Sequence, residues 1–280
     1  MSTAKKNSLL CPNCRRLISR DESSCPYCGI RSPGSWWKNN LIGIGRRDPE
    51  ALIRQLITVN VVMYILSLLL NPRGLGMAMN PFDFLSPDNR SLLLLGASGT
   101  MPIIDMGRWW SLLTANFLHG SLLHILFNMI ALRQIGPLVL KEYGISRMLV
   151  IYLVGGVCGY LLSFLAGVRM TIGASAAVCA LIGAALYYGK SRGGSYGQAV
   201  YQQISGWAIG IFIFGFMIPG INNWAHGGGM AVGALLGLLM GYQDKRRESL
   251  THRILATLSV GACGLALIWA SVTAVIYRFL

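Results

Sequence analysis

Acidic side chains are scarce in this chain. Its 280 residues carry 10 Asp and Glu against 24 Lys and Arg, and charged residues make up 12% of the total. The acids are Asp21, Glu22, Asp48, Glu50, Asp83, Asp88, Asp105, Glu142, Asp244 and Glu248, and none lies inside the apolar segments delimited below. Two function classes lose ground from this. Transporters and channels generally place a carboxylate within the membrane, or break a pair of helices in repeated halves. The sequence has neither, and no internal repeat. A hydrolase that orients its histidine with a buried carboxylate has no such group to use. The first fifty residues also lack the apolar core of a secretory signal, although they hold Lys5, Lys6, Arg15, Arg16 and Arg20. We therefore expect the amino terminus to stay on the side where the chain is made.

Apolar residues dominate instead. They form 54% of the sequence, and the mean hydropathy is +0.53, which excludes an ordinary soluble domain and indicates a polytopic membrane protein. The apolar windows predict seven spans, at about Leu52–Leu70, Phe117–Leu140, Met148–Ala166, Ile172–Tyr188, Ile204–Ile218, Trp224–Tyr242 and Ile254–Tyr277. The fourth is short for a full crossing of about 20 residues, so its start is expected below the surface in a water-filled recess. A net charge of +14 would point to nucleic acid in a soluble protein. Here the positive-inside bias accounts for it, and no nucleic-acid partner is expected. With the amino terminus inside, the inner segments hold the basic head, Lys141, Arg147, Lys190, Arg192, Lys245, Arg246, Arg247 and Arg253. The outer segments hold only Arg73, Arg90, Arg108, Arg169 and Arg278. Arg133 falls within the second span. A lone arginine there costs about 2.5–3.5 kcal/mol on insertion scales, so it is expected to face the bundle and find a carbonyl.

The seven cysteines divide between a polar head and the spans. Cys158, Cys179 and Cys263 lie singly in apolar segments and read as small packing residues. Cys11-x-x-Cys14 and Cys25-x-x-Cys28 read as a four-thiolate zinc site, because such knuckles present paired sulfurs to one tetrahedral metal and a segment this small has little other core. Two disulfides would need an oxidising compartment, and no strand–helix pattern for a redox dithiol surrounds them. The head, at 1–35, is similar to a zinc ribbon and is expected to hold a structural zinc ion and to offer a surface to a cytoplasmic protein partner. A basic linker follows at 36–51, with Trp36 and Trp37 suited to a membrane interface, and then a transmembrane domain at 52–280. The connection at 71–116 is too apolar for a disordered linker and is expected to be a structured loop.

The chemistry gathers at one end of the bundle. Ser175 sits at the first turn of the fourth span, and Ser175, Cys179 and Gly183 share a small-residue face that permits a close helix neighbour. The sixth span offers that neighbour, with Gly229, Gly233, Gly237 and Gly241 four apart and His226 one turn above them. A histidine buried in a membrane segment is by default functional. His124 and Asn128 are also four apart, near the start of the second span, with His119 just before them. The charge-derived topology puts the starts of spans two, four and six on the same outer side. His119, His124, Asn128, Ser175 and His226 are therefore expected to converge. A serine with an imidazole in reach is a nucleophile with its base. The backbone N–H of Ser175, the Asn128 amide and His124 would hold the oxyanion. Ser98, in Gly96-Ala-Ser98-Gly99, is a decoy: Pro102, Asp105, Arg108 and two tryptophans follow it, so no membrane helix does.

These residues carry a resemblance. Trp109-Trp110, Leu112-Leu113-Thr114, Phe117-Leu118-His119-Gly120-Ser121-Leu122-Leu123-His124-Ile125-Leu126-Phe127-Asn128, Gly173-Ala174-Ser175 and Ala225-His226-x-x-Gly229-x-x-x-Gly233, in that order, resemble the rhomboid intramembrane serine proteases over roughly residues 50–245. The resemblance implies a rhomboid-like bundle of six core transmembrane helices plus a seventh C-terminal helix. It also implies cleavage of single-pass membrane proteins in or near their transmembrane segment, by Ser175 and His226 without a catalytic cofactor. His124 and Asn128 would line the oxyanion site. The family's breadth makes a bacterial inner membrane the expected location. Three positions depart from the family pattern. Ala176 replaces a usual glycine, where a methyl could crowd the oxyanion site. Cys179 replaces an aromatic that lies against the histidine ring, and Ser111 replaces an arginine. Ala176 and Cys179 motivate the alternative of a catalytically silent, rhomboid-like binder of membrane clients.

Overall fold

The computed structural model describes residues 7–11, 16–35, 49–72, 76–77 and 83–279. Its contacts divide the chain into two units, Met1–Leu52 and Ile53–Leu280.

The head contains an antiparallel pair, β1 (Ser8–Leu10) and β2 (Leu17–Ser19), with Leu9 opposite Ile18 and Leu10 opposite Leu17. Strand alternation turns Leu9 and Ile18 inward, where they pack with Cys11, Cys25, Cys28 and Ile30. The second knuckle is a tight turn in which the Gly29 N–H donates to the Cys25 carbonyl at 2.9 Å, and Gly29 takes a φ of +70°. Cys14 and linker residues 36–48 lie outside the described residues.

The membrane unit is helical. Long helices run over α1 (Pro49–Leu70), α4 (Leu122–Tyr143), α5 (Ile145–Leu165), α6 (Ser175–Arg192), α7 (Gly194–Met217), α8 (Asn223–Met240) and α9 (Leu250–Phe279), with short helices α2 (Asn89–Leu94) and α3 (Ser111–Thr114) in the first connection. That connection also holds a two-stranded sheet, β3 (Gly76–Met77) and β4 (Phe84–Ser86), and a π-helical turn at Met101–Asp105. Among the described residues, five helices are long and apolar enough to cross a membrane: α1, α4, α5, α7 and α9. The chain is an all-α, multi-pass membrane protein. The two long helices outside that set, α6 and α8, are each 18 residues and rich in glycine and alanine. On α6 every residue from Ala176 to Ala185 is buried. A helix enclosed by protein needs small side chains for close approach more than lipid-facing leucines.

Small residues set the core. Added methyls at Gly229 and Gly233 of α8 would run into the carbonyls of Ala176 and Ala180 on α6, and one at Gly183 into the carbonyl of Met230. On α5, Gly155 meets Ala180, and Gly159 meets Ala225 and Ala176. The close-packed face of α6 is therefore Ala176, Ala180, Gly183 and Ala184, one residue round from the expected Ser175–Cys179–Gly183 face, and Ser175 lies at its edge. Gly237 meets Ala184 and the Tyr143 hydroxyl. Gly241 is not part of the stripe: it ends α8 at a φ of +67°, the left-handed conformation that glycine supplies at helix C-termini.

Other expectations need correcting. The second span's helix begins at Leu122, because the Ser121 hydroxyl accepts from the His124 N–H at 3.2 Å and caps it, so His119 precedes the helix. That helix continues to Tyr143, so Glu142 lies in its last turn, on the order of 27 Å along the axis from His124. Arg133 is exposed on the outer side of α4 rather than facing the bundle. Its apolar stem lets the guanidinium reach toward a polar boundary without a buried partner. Arg147 is fully buried and donates to the carbonyls of Gly241 (2.5 Å) and Met240 (3.4 Å) at the end of α8. Glu248 accepts from the N–H groups of Ser146 (2.7 Å) and Arg147 (3.3 Å), capping α5.

Candidate functional site

Ser175 is the first residue of α6, after Ala174, and no side chain caps that end. The N–H groups of the first turn, that of Ser175 among them, thus have no partner within the helix, and the helix dipole favours negative charge there. The approach loop is fastened along its length. Thr171 exchanges two backbone hydrogen bonds with Ser98, at 3.0 and 2.7 Å, and the Gly173 N–H donates to the Ala115 carbonyl at 2.9 Å. The buried Tyr160 hydroxyl donates to the Gly173 carbonyl. Ser98 is itself fully buried, with its hydroxyl 3.2 Å from that of Ser111, so it serves this bracing and presents no nucleophile.

Gly173 defines the space in front of Ser175. Its φ of +124° suits glycine alone. A Cβ there would lie 2.6 Å from His124 Nε2 and 3.6 Å from Ser175 Oγ, so these two atoms border one small gap. His124 Nδ1 accepts from the Gly120 N–H at 3.3 Å, which leaves the proton of the neutral ring on Nε2, facing that gap. Asn128 Nδ2 donates to the His124 carbonyl at 2.9 Å, which engages one of its two N–H bonds and leaves the second. His119 is fully buried with its ring edge-on to His124, centroids 5.1 Å apart. Among the described residues neither His119 nitrogen makes a hydrogen bond of good geometry, although the Phe117 backbone lies near the ring.

The flanking residues locate Ser175 between α4 and α8. Ala174 packs with Ile125 and Met129, and Ala176 packs with Ala225. His226 follows Ala225 directly and is 6% exposed. Its Nδ1 is buried with no hydrogen-bond partner among the described residues. No hydrogen bond joins the Ser175 hydroxyl to the His226 ring among the described residues; such bonds are often long before substrate binds. Two polar residues close the site that sequence reasoning missed, Tyr160 and Asn222. Asn222 precedes an apolar run and so carries a helix-cap signal, but its partners Ser163 and Thr171 stand more than fifty residues away.

In the head, the sulfurs of Cys11, Cys25 and Cys28 lie within 4.8 Å of one another. The Cys11–Cys28 separation is 3.7 Å. Zinc–thiolate bonds of about 2.3 Å in a tetrahedron place two sulfurs about 3.8 Å apart, so this trio fits a metal ion.

Comparison with known proteins decides the family. Residues 106–243 match the model of the Rhomboid domain. The chain is a rhomboid-family protein. It is 33% identical over 156 residues to Rhomboid protease GluP of Bacillus subtilis (strain 168), covering 56% of this chain and 31% of that protein. It is 30% identical over 206 residues to RHOMBOID-like protein 4 of Arabidopsis thaliana, covering 68% and 52%. It is 29% identical over 231 residues to RHOMBOID-like protein 7 of the same plant, covering 76% and 69%. The chain thus spans between about a third and two thirds of these relatives. Membership of this family makes it an intramembrane protease or a rhomboid-like relative of one.

Proposed function

We propose that this rhomboid is an intramembrane serine endopeptidase that cleaves single-pass membrane proteins within or near their transmembrane segment, with Ser175 as nucleophile and His226 as base. The observation that carries it is the setting of Ser175: first in its helix, held by its neighbours between α4 and α8, and facing the Nε2 of His124 across the gap kept by Gly173.

The chemistry follows from the groups present. Ser175 Oγ attacks the carbonyl carbon of the scissile bond while its proton passes to the His226 imidazole. The oxygen becomes an anion, and the Nε2–H of His124, the Ser175 N–H and the free N–H of Asn128 are the donors available to it. Collapse breaks the C–N bond, and the imidazolium gives its proton to the departing amine. Water, deprotonated by the same imidazole, then releases the acyl group from Ser175. With no hydrogen-bond partner on Nδ1 among the described residues, His226 acts without a carboxylate, as a dyad. Water is expected to reach Ser175 from the outer end of α6, which at 18 residues is short for a full crossing. The excess of Lys and Arg on inner segments supports an orientation with the amino terminus in the cytoplasm and this end on the outer side. We assign zinc to the head, held by Cys11, Cys14, Cys25 and Cys28; it stabilises the fold there and takes no part in the hydrolysis. Fluorophosphonate labelling of the purified protein tests the reading. Wild type should label, while Ser175→Ala and His226→Ala should not, and Ser175→Ala should abolish cleavage of a reporter carrying a transmembrane segment. A folded wild type that neither labels nor cleaves would leave a silent client-binding protein instead.

A further inference from the structure

We propose that Asn222 is a positioning residue that sets the Ser175–His226 alignment, an inference resting on the serine-protease reading above. Its side chain makes three hydrogen bonds to three separate elements. Oδ1 accepts from the Ala225 N–H at 3.1 Å and caps α8. Nδ2 donates to Ser163 Oγ at 2.5 Å, near the end of α5, and to Thr171 Oγ1 at 2.9 Å, in the loop that leads to Ser175. Ser163 is fully buried and Thr171 is 7% exposed, so these bonds act in a low-dielectric setting where they are strong and directional. Thr171 is four residues before Ser175, and Ala225 is the residue before His226. One amide therefore ties the backbone that carries the base to the backbone that carries the nucleophile. His226 needs such a tie. Its Nδ1 has no hydrogen-bond partner among the described residues, and Cys179 offers no ring to stack against it. Orientation that other hydrolases take from a third side chain on the imidazole comes here from clamping the two main chains together.

A helix cap alone would also conserve stability, so the test separates cap from clamp. Serine caps helices about as well as asparagine, but its short hydroxyl cannot span to both Ser163 and Thr171. Asn222→Ser thus keeps the α8 cap and removes the clamp, and Thr171→Val cuts the clamp from the other end. Asn222→Asp restores it, since both hydroxyls can turn and donate to the carboxylate. The readouts, on the full chain in detergent, are the second-order rate constant of fluorophosphonate labelling, its final extent, and the melting temperature. Misplacement of reacting groups by about 1 Å costs on the order of a hundredfold. We expect Asn222→Ser and Thr171→Val each to slow labelling at least about tenfold while still labelling to completion. The double variant should be no slower than the slower single, and Asn222→Asp should recover most of the rate. A wild-type rate in Asn222→Ser overturns the clamp, as does a loss of extent that tracks the melting temperature. Failure of wild type itself to label overturns the protease reading, and the clamp with it.

Discussion

Gly233→Ala tests whether the bundle depends on backbone contact between α6 and α8. An added Cβ at 233 would stand 2.6 Å from Ala180 Cα and 2.5 Å from Ala180 C, and nearer still to its carbonyl oxygen. Ordinary contact for a Cβ begins at 3.4 Å. All three obstacles are main chain, so no rotamer change relieves them, and the helices must part by about 1 Å at this level merely to bring the carbonyl oxygen from 1.9 Å to 3.0 Å. A gap of that size forfeits about a quarter to a half of each dispersion well along the seam. Overpacking of this kind costs about 1–3 kcal/mol. For a unit of this size that lowers the melting temperature by about 2–4 °C per kcal/mol. The control is Gly206→Ala on α7, where nothing lies within 4 Å of the new methyl; there the helix should gain about 0.5–1 kcal/mol. Both variants would be melted in the same detergent, with Ser175 labelling followed in parallel. Gly233→Ala should melt lower and label more slowly, and Gly206→Ala should melt at or above wild type. If Gly233→Ala melts no lower than wild type, close packing of α6 on α8 is not what holds the bundle.

Gly173→Ala should eliminate labelling while leaving the protein folded, because its Cβ would fall 2.6 Å from His124 Nε2 in a conformation only glycine tolerates; labelling at more than about a tenth of the wild-type rate would contradict the donor role of His124. Cys25→Ser should reduce bound zinc from about one ion per chain without changing the Ser175 labelling rate, as measured by metal analysis and gel; unaltered zinc content would refute the site. Glu248→Ala should lower stability by about 0.5–2 kcal/mol through loss of the α5 cap, read as a lower melting temperature, and no change would mean that water replaces the carboxylate.

Helix positions were legible because apolar windows and helices coincide where lipid surrounds the chain. They part where it does not. The fifth-span helix starts at Gly194, ten residues before its apolar window, since polar residues such as Gln198 and Gln202 continue the same backbone hydrogen bonds outside the apolar layer. Hydropathy carried the second span back to Phe117, whereas the cap at Ser121 ends it. Charge counting and spacing brought Ser175, His226, His124 and Asn128 to one end of the bundle on grounds independent of their chemistry. The packing face of α6 was less accessible. Ser175–Cys179–Gly183 and Ala176–Ala180–Gly183 are both small-residue faces, and only the partner helix distinguishes them. Tyr160 and Asn222 were invisible as site residues for a related reason: each acts through a bond across the fold, and nothing local marks it.

Ala176 shows how this difference in face changes a functional expectation. A methyl beside the nucleophile, where the family usually has glycine, suggests crowding of the oxyanion site. In the structure that methyl is fully buried and turned to α5, where it sits 3.1 Å from the position a Cβ on Gly159 would take, and it packs with Tyr160 and Ala225. It thus fills the seam beneath the site, on the side away from His124. Ala176→Gly should therefore bring no gain in reactivity. It would remove a packed methyl and add backbone freedom to the first turn of α6, a loss of about 1 kcal/mol from the propensity change alone. We expect a lower melting temperature with a labelling rate within about twofold of wild type, a margin equal to roughly 0.4 kcal/mol of barrier. A severalfold faster reaction in Ala176→Gly would mean that the methyl does obstruct the oxyanion. The chain would then be an enzyme restrained by its own sequence rather than one whose small-residue seam has been filled by one carbon.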